Sequence, residues 1–299
     1  MNFHIVVLSK DMGNLLPCVR AIFERESDLP SDRIIVVDDG IREPGYGGPI
    51  VIDGKPLTTI QGAKPFVYAR NANLGIRAAK TDVILLNDDA FLTTPGGFTG
   101  LSLLSVNNPR LGLISAAVKG VVCNPRQQDN GKPEIRKISA NMAFVCVYLP
   151  RHVYETIGYL DERYVEYGSE DTDYCRRVDL TGQFAKVAAN TCVVNHAGHS
   201  SFRTQTDWQQ GMWNNKARFA KKWEEDPAGY EEEIFDLVKP LLSDKEQFLF
   251  TPFAAEKAVE RMQEQYGKGR WRPEEFEEML HLVLEENRLA WADAGGGKR

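Results

Sequence analysis

Three short, nearly unbroken apolar runs set the limits on what this chain can fold into: Phe3 to Leu8, Ile34 to Val37 and Val83 to Leu86. A strand with one face in water alternates apolar and polar residues. A run without alternation belongs in a sheet covered on both faces. Helical patterns separate the runs. Leu15, Leu16, Val19, Ile22 and Phe23 recur at helical spacing, with Asn14 as the expected cap and Pro17 in the first turn. Residues 68–80 form a second helical pattern. The order strand, helix, strand, then helix, strand predicts an α/β fold with a mainly parallel sheet and flanking helices.

In such sheets ligands lie outside the carboxyl ends of the strands. Two of the three runs end there in paired acids, Asp38-Asp39-Gly40 and Asn87-Asp88-Asp89. Adjacent carboxylates at that edge suit Mg2+ or Mn2+, which complete their shell with a substrate's phosphate oxygens. Asp38 and Asp39 could also accept hydrogen bonds from a base N–H or from ribose hydroxyls. The same residues would equally suit a solvated turn.

The 299 residues allow one large domain with an appended helical piece. The net charge of −6 argues against a nucleic-acid binder, which needs a basic footprint. The five cysteines, Cys18, Cys123, Cys146, Cys175 and Cys192, are scattered and form no CxxC pair, so neither a disulfide framework nor a zinc cage is expected. The N-terminal run is too short to span a membrane and lacks a signal-peptide pattern, so a soluble, cytoplasmic protein is expected.

Residues 41–65 are rich in Gly and Pro and read as a long loop with a small hairpin near 50–55. Short strands are expected at 111–115, 118–123, 142–148 and 184–188, with a loop over 124–138. Beyond about 205 the chain becomes helical and charge-rich, with Trp208, Trp213, Trp223 and the basic cluster Lys216, Arg218, Lys221 and Lys222. A second helical region is expected over 252–292, and 295–299 read as a tail.

Two further segments carry chemistry. In Gly168-Ser169-Glu170-Asp171-Thr172-Asp173, Ser169 suits a helix N-cap and the acids suit the first turn. A carboxylate at that positive helix end stays ionised and can serve as a general base. The acids could instead only complement the helix dipole. Asn195-His196-Ala197-Gly198-His199-Ser200 follows an apolar run and offers imidazoles, which are common metal ligands.

Together these segments resemble the family-2 glycosyltransferases, inverting enzymes with the GT-A fold, a Rossmann-like nucleotide-diphospho-sugar transferase architecture. Leu8-Ser9-Lys10 is similar to the end of the family's opening strand, and Asp38-Asp39-Gly40 to its nucleotide-binding aspartates. Asn73-Leu74-Gly75 through Asp89 resembles the stretch that leads to its metal motif. Gly168 to Asp173 resembles its acceptor-site motif, His196 to Ser200 its histidine segment, and Asn214 to Trp223 the helix that follows. The resemblance spans roughly 3–223. In two places the chain departs from the pattern. Loop 41–65 replaces the usual serine and helix after Asp-Asp-Gly, and the metal motif reads Asn-Asp-Asp, so Asn87 brings no charge.

The resemblance implies a GT-A domain over 1–205, nucleotide-binding in 1–110 and acceptor-binding in 111–205, followed by a helical region over 206–299. It implies transfer of a sugar from a nucleotide-sugar donor to an acceptor hydroxyl with inversion. UDP is the default nucleotide, with dTDP and GDP open. Ser9 and Asp39 would contact the base, Asp38 or Arg70 would lie near the nucleotide, and Asp88 would face the ribose or sugar. Asp89 and His196, with His199 as the fallback, would hold Mn2+ or Mg2+. Asp171 would be the general base and Glu170 would hold the acceptor. A sugar-nucleotide nucleotidyltransferase would need a basic, Gly-rich loop after the first strand, where Ser9 to Asn14 stand instead. A catalytically inactive carbohydrate-binding relative is the remaining alternative.

Overall fold

The computed structural model describes residues 2–43, 47–122, 124–139, 141–166, 168–196 and 208–223, with 261, 279 and 281–285. In chain order its elements begin with β1 (Phe3–Ser9), α1 (Met12–Arg25), β2 (Ile34–Asp38), β3 (Val51–Ile52), β4 (Lys55–Pro56) and β5 (Thr58–Gln61). There follow α2 (Tyr68–Ala79), β6 (Asp82–Asn87), β7 (Ala90–Leu92), α3 (Gly97–Asn107), β8 (Leu111–Gly120), β9 (Ile135–Lys137) and β10 (Cys146–Leu149). The described elements end with α4 (Arg151–Ile157), α5 (Glu170–Leu180), β11 (Ala185–His196) and α6 (Trp208–Lys222).

The main sheet runs β5-β2-β1-β6-β10-β8-β11-β7, with β9 on β11. Its first four strands are parallel and contain all three apolar runs. β10 is antiparallel to both β6 and β8, and β11 is parallel to β8. The sheet is therefore mixed, with its parallel half where the sequence placed the ligand edge.

The absence of alternation in the runs has its expected cause. Ile5, Val7, Ile34, Val36, Ile84 and Leu86 pack with α1 and α3 on one face. Val6, Ile35, Val37, Val83 and Leu85 pack with α2, Val153 and Tyr154 of α4, and Tyr174 of α5 on the other. The segment Asn73-Leu74-Gly75 does structural work here. A Cβ on Gly75 would lie 2.3 Å from Val6 Cγ1, so only glycine lets α2 approach β1 this closely. Asn73 Nδ2 donates to the Leu160 carbonyl at 2.9 Å, and the Leu160 N–H donates back to Asn73 Oδ1 at 3.0 Å. This clamps the strap that leads toward α5.

The hairpin near 50–55 is present as β3 and β4. Asp53 (φ 51) and Gly54 (φ 76) supply the two positive φ values of its tight turn. Several local expectations are corrected. Asp11, not Asn14, caps α1: its carboxylate accepts from the Gly13 N–H at 2.7 Å. Pro17 consequently lies inside the helix, beyond its first turn. Loop 41–65 contains the strand β5, which extends the parallel half. The strands expected at 111–115 and 118–123 are the single strand β8, and the one expected at 184–188 continues to His196.

The chain divides into two compact units, one of Met1–Val165 with Glu170–Ser200, the other of Glu166–Ser169 with Ser201–Arg299. In the second, Asn214 of α6 donates to Glu166 at 2.8 Å, Asn215 donates to the Gly168 carbonyl at 2.8 Å, and Arg218 pairs with Glu166. Trp213 is buried, which favours packing over sugar stacking for that residue. Most of 252–292 and the tail lie outside the described residues. No helix among the described residues is long and apolar enough to cross a membrane.

Candidate active site

The carboxyl ends of β1, β2 and β6 lie side by side, with Ser9 in register with Asp38 and Leu8 with Asn87. That adjacency brings Ser9, Asp39, Asp88 and Asp89 to one edge of the first unit. Each is at least nine-tenths buried, and their partners divide their roles.

Asp38 is tied to its own loop. Its Oδ1 accepts from the Gly40 and Ile41 N–H groups at 3.0 and 2.8 Å, and its Oδ2 from Arg42 Nε at 2.7 Å. Burial acts to raise its pKa, but Arg42 and those N–H groups outweigh it and hold the carboxyl below its ordinary value. Asp38 therefore shapes the Gly40–Arg42 turn. Asp39 differs. Its Oδ1 accepts from Lys64 Nζ at 2.9 Å and from Asn71 Nδ2 at 3.3 Å, while its Oδ2 takes no hydrogen bond among the described residues. Arg70 donates to the Pro65 carbonyl, and its buried Nε has no partner among the described residues.

Ser9 orients Asp88, its hydroxyl donating to Asp88 Oδ2 at 2.7 Å. Burial pushes the Asp88 carboxyl up to about 6; the Ser9 bond opposes this and the Asp89 charge adds to it. Asp89 faces His196, with 3.2 Å between Oδ1 and Nε2. His196 ends β11, opposite Ala90 on β7 and Gly120 on β8. A Cβ on Gly120 (φ 112) would fall 2.2 Å from the His196 carbonyl oxygen, so β8 can lie against His196 only with glycine there. The His196 ring meets the Val121 carbonyl through Nδ1 at 2.5 Å. Burial would lower its pKa, but Asp89 and that carbonyl prevail and raise it.

These groups fit a divalent ion. A carboxylate oxygen and an imidazole nitrogen are the donors such an ion takes. A backbone carbonyl on the far ring nitrogen is the outer partner that orients a ligating histidine. Among the described residues no three His, Cys, Asp or Glu side chains form a cage. Water and substrate oxygens would fill the other positions. His199 lies outside the described residues.

Asp171 lies near the segment that leads into β10. The Asn87 N–H donates to the Val145 carbonyl at 2.9 Å, which extends the β6–β10 pairing and brings Phe144 level with Asp88. The Phe144 N–H lies where it favours the ionised form of Asp171, whose Oδ1 accepts from the Thr172 N–H at 2.7 Å and from its hydroxyl at 3.3 Å. The first turn of α2 closes the circuit: Tyr68 Oη donates to the Phe144 carbonyl at 3.4 Å, and Asn71, one turn on, reaches Asp39.

Glu170 and Asp171 are adjacent acids with unequal environments. Burial, then the Asp171 charge, pushes Glu170 up to about 8, and its buried Oε2 has no partner among the described residues. Burial raises Asp171 too, and the hydrogen bonds from the Thr172 N–H and hydroxyl oppose it. Glu170 is thus a member of the pair that keeps a proton at neutral pH. The third acid, Asp173, is fully buried against Arg177 (2.9 Å) and Tyr164 (3.2 Å) and helps hold the helix in place. Ser169 (φ 74) stands in the left-handed region, not in the extended conformation typical of an N-cap.

Lys64, Tyr68, Asn71 and the Phe144 N–H were absent from the sequence reading. No local pattern marks a lysine in a Gly/Pro loop or a backbone N–H. Tyr68 and Asn71 could have been found from their place at the start of a helix next to the Asp39 strand.

No family model matches the sequence, and no curated protein matches it. Solved structures do show its fold. GalNAc-T7 with UDP, GalNAc and Mn2+ is similar with a TM-score of 0.56 at 11% identity, over 97% of this chain and 58% of that one. This chain thus spans little more than half of GalNAc-T7. S. aureus TarS is similar with a TM-score of 0.52 at 12% identity, over 98% of this chain and 55% of that one. Its 1-349 segment is similar with a TM-score of 0.51 at 12% identity, over 97% and 92%. The architecture described above is the GT-A glycosyltransferase fold.

Proposed function

We propose that this protein transfers a sugar from a nucleoside-diphosphate donor to an acceptor hydroxyl, with inversion and with help from a divalent cation. The observations that support this best are Asp89 beside His196 at the end of β6, and the acids Glu170 and Asp171 close to Tyr68 at the start of α2. The fold shared with GalNAc-T7, a structure that holds UDP, GalNAc and Mn2+, agrees with it.

In this reading residues 1–110 bind the nucleotide and 111–205 the acceptor. Asp39 takes the base and Asp88, held by Ser9, the ribose or donor sugar. Asp89 and His196 would hold Mn2+ or Mg2+, which would neutralise charge on the departing diphosphate. Asp171 accepts the proton of the acceptor hydroxyl. The freed oxygen forms a bond to the anomeric carbon from the face opposite the diphosphate. The bond from that carbon to the diphosphate oxygen breaks, and its electron pair leaves with the diphosphate. One displacement inverts the centre. Glu170, still protonated, donates a hydrogen bond to the acceptor.

The test is a thermal-shift screen of UDP-, GDP- and dTDP-sugars with and without Mn2+. A bound donor raises the unfolding temperature. The proposal expects at least one donor to stabilise the protein, and to do so more with Mn2+. If no nucleotide sugar shifts the transition under either condition, the proposal fails.

A further inference from the structure

We propose that Lys64, together with Asp39, selects the nucleotide base, admitting only bases whose ring N–H lies beside a carbonyl. The inference rests on the nucleotide-sugar reading above and adds a residue and a selection rule to it.

The rule follows from how the two side chains are held. Lys64 Nζ donates to Asp39 Oδ1 at 2.9 Å and also to the Asp39 backbone carbonyl. The loop that carries Lys64 is anchored. The Gly62 N–H donates to the Asp38 carbonyl at 2.8 Å, and the Ala63 N–H to Asn71 Oδ1 at 2.8 Å. A Cβ on Gly62 would lie 3.0 Å from the Asp38 carbonyl oxygen and 3.1 Å from Asn71 Nδ2, so this loop presses directly on the end of β2. The Lys64 side chain is nevertheless 58% exposed, whereas that of Asp39 is 6% exposed. The pair therefore presents a cation with a spare N–H donor next to a carboxylate whose second oxygen takes no hydrogen bond among the described residues.

An acceptor beside a donor complements a ring N–H beside a C=O. Uracil, thymine and guanine have such an edge. Cytosine and adenine present the reverse, a ring nitrogen lone pair beside an amino group. With the ring nitrogen set opposite Asp39, as it is for uracil, the carboxylate would face a lone pair and the ammonium an N–H, both repulsive. This lysine stands in the Gly/Pro loop 41–65, where the chain departs from the family pattern.

The experiment measures UDP, CDP, GDP and ADP binding by calorimetry in the presence of Mn2+, for the parent protein, Lys64→Met and Lys64→Arg. The parent protein should bind UDP over CDP, and GDP over ADP, by tenfold or more. A charged hydrogen bond is worth about tenfold to a hundredfold, so Lys64→Met should weaken UDP by at least tenfold while CDP binds no more weakly than to the parent protein. Lys64→Arg should keep most of the preference. Equal affinity for UDP and CDP in the parent protein, or an unaltered ratio in Lys64→Met, would overturn this inference alone. If none of the four nucleotides binds, the nucleotide-sugar reading falls and takes this inference with it.

Discussion

Replacing Glu170 by Gln tests the divided roles of the two acids without removing the proposed base. Glu170 has a folded pKa of about 8, raised from its ordinary 4.5. The folded state therefore keeps a proton that the unfolded chain gives up as pH rises between those values. Where the native state binds more protons than the unfolded one, stability falls with rising pH. Below about pH 4 this carboxyl is neutral in both states and costs nothing. Above pH 8 it costs the most, with a ceiling of about 5 kcal/mol at roughly 1.4 kcal/mol per tenfold change in proton affinity. Gln keeps the shape and is neutral at every pH, so Glu170→Gln should gain on the parent protein as pH rises. Urea unfolding of both proteins at pH 5, 7 and 9 reads this directly. The stability difference should grow by about 1–3 kcal/mol in favour of the variant between pH 5 and 9, below the ceiling because loss of one charge also relieves Asp171. A pH-independent difference would refute the claim that Glu170 is forced to stay protonated.

Gln127 is fully buried and mimics a strand for the segment before β10: it donates to the Ala143 carbonyl at 2.9 Å and to Ser115 Oγ at 2.8 Å, and accepts from the Ala143 N–H at 2.8 Å. Gln127→Ala should cost about 2–4 kcal/mol in urea unfolding, since it leaves buried partners unpaired; a loss below 1 kcal/mol would contradict that role. Asp89→Ala should remove the Mn2+-dependent part of donor binding in a thermal-shift titration while the metal-free part survives; full retention of the Mn2+ effect would exclude Asp89 as a ligand.

β1, β2 and β6 of the parallel half were legible because they are buried on both faces and show it in composition. The acids at their ends were legible because topology assigns that edge to ligands. Elements without a strong apolar signal were not. β5 is four partly exposed residues, Thr58 to Gln61, supported mainly by pairing with β2. α3 carries Gly97 and Gly100, with Leu103 and Val106 exposed, so no stripe marks it as a helix. β11 was cut short because its register shifts between Ala189 and Val193, where the polar Asn190 and Thr191 interrupt the run. Within the site, the pairing of Asp89 with His196 followed from the family resemblance, whereas the tie between Asp171 and Phe144 depends on a backbone N–H that any sequence would supply. Asp38 and Asp39 look equivalent as letters. Only the fold shows that one closes its own turn and the other faces Lys64.

The proposed chemistry depends most on Asp171. With a donor identified by the screen and Mn2+ present, the rate of nucleoside-diphosphate release should fall by about two to four decades in Asp171→Asn, in line with the contribution of a positioned general base. Donor affinity should stay within about threefold of the parent, since Asp39, Asp88 and Asp89 are untouched. Release at the parent rate would show that some other group takes the proton, and the account of this site would be wrong.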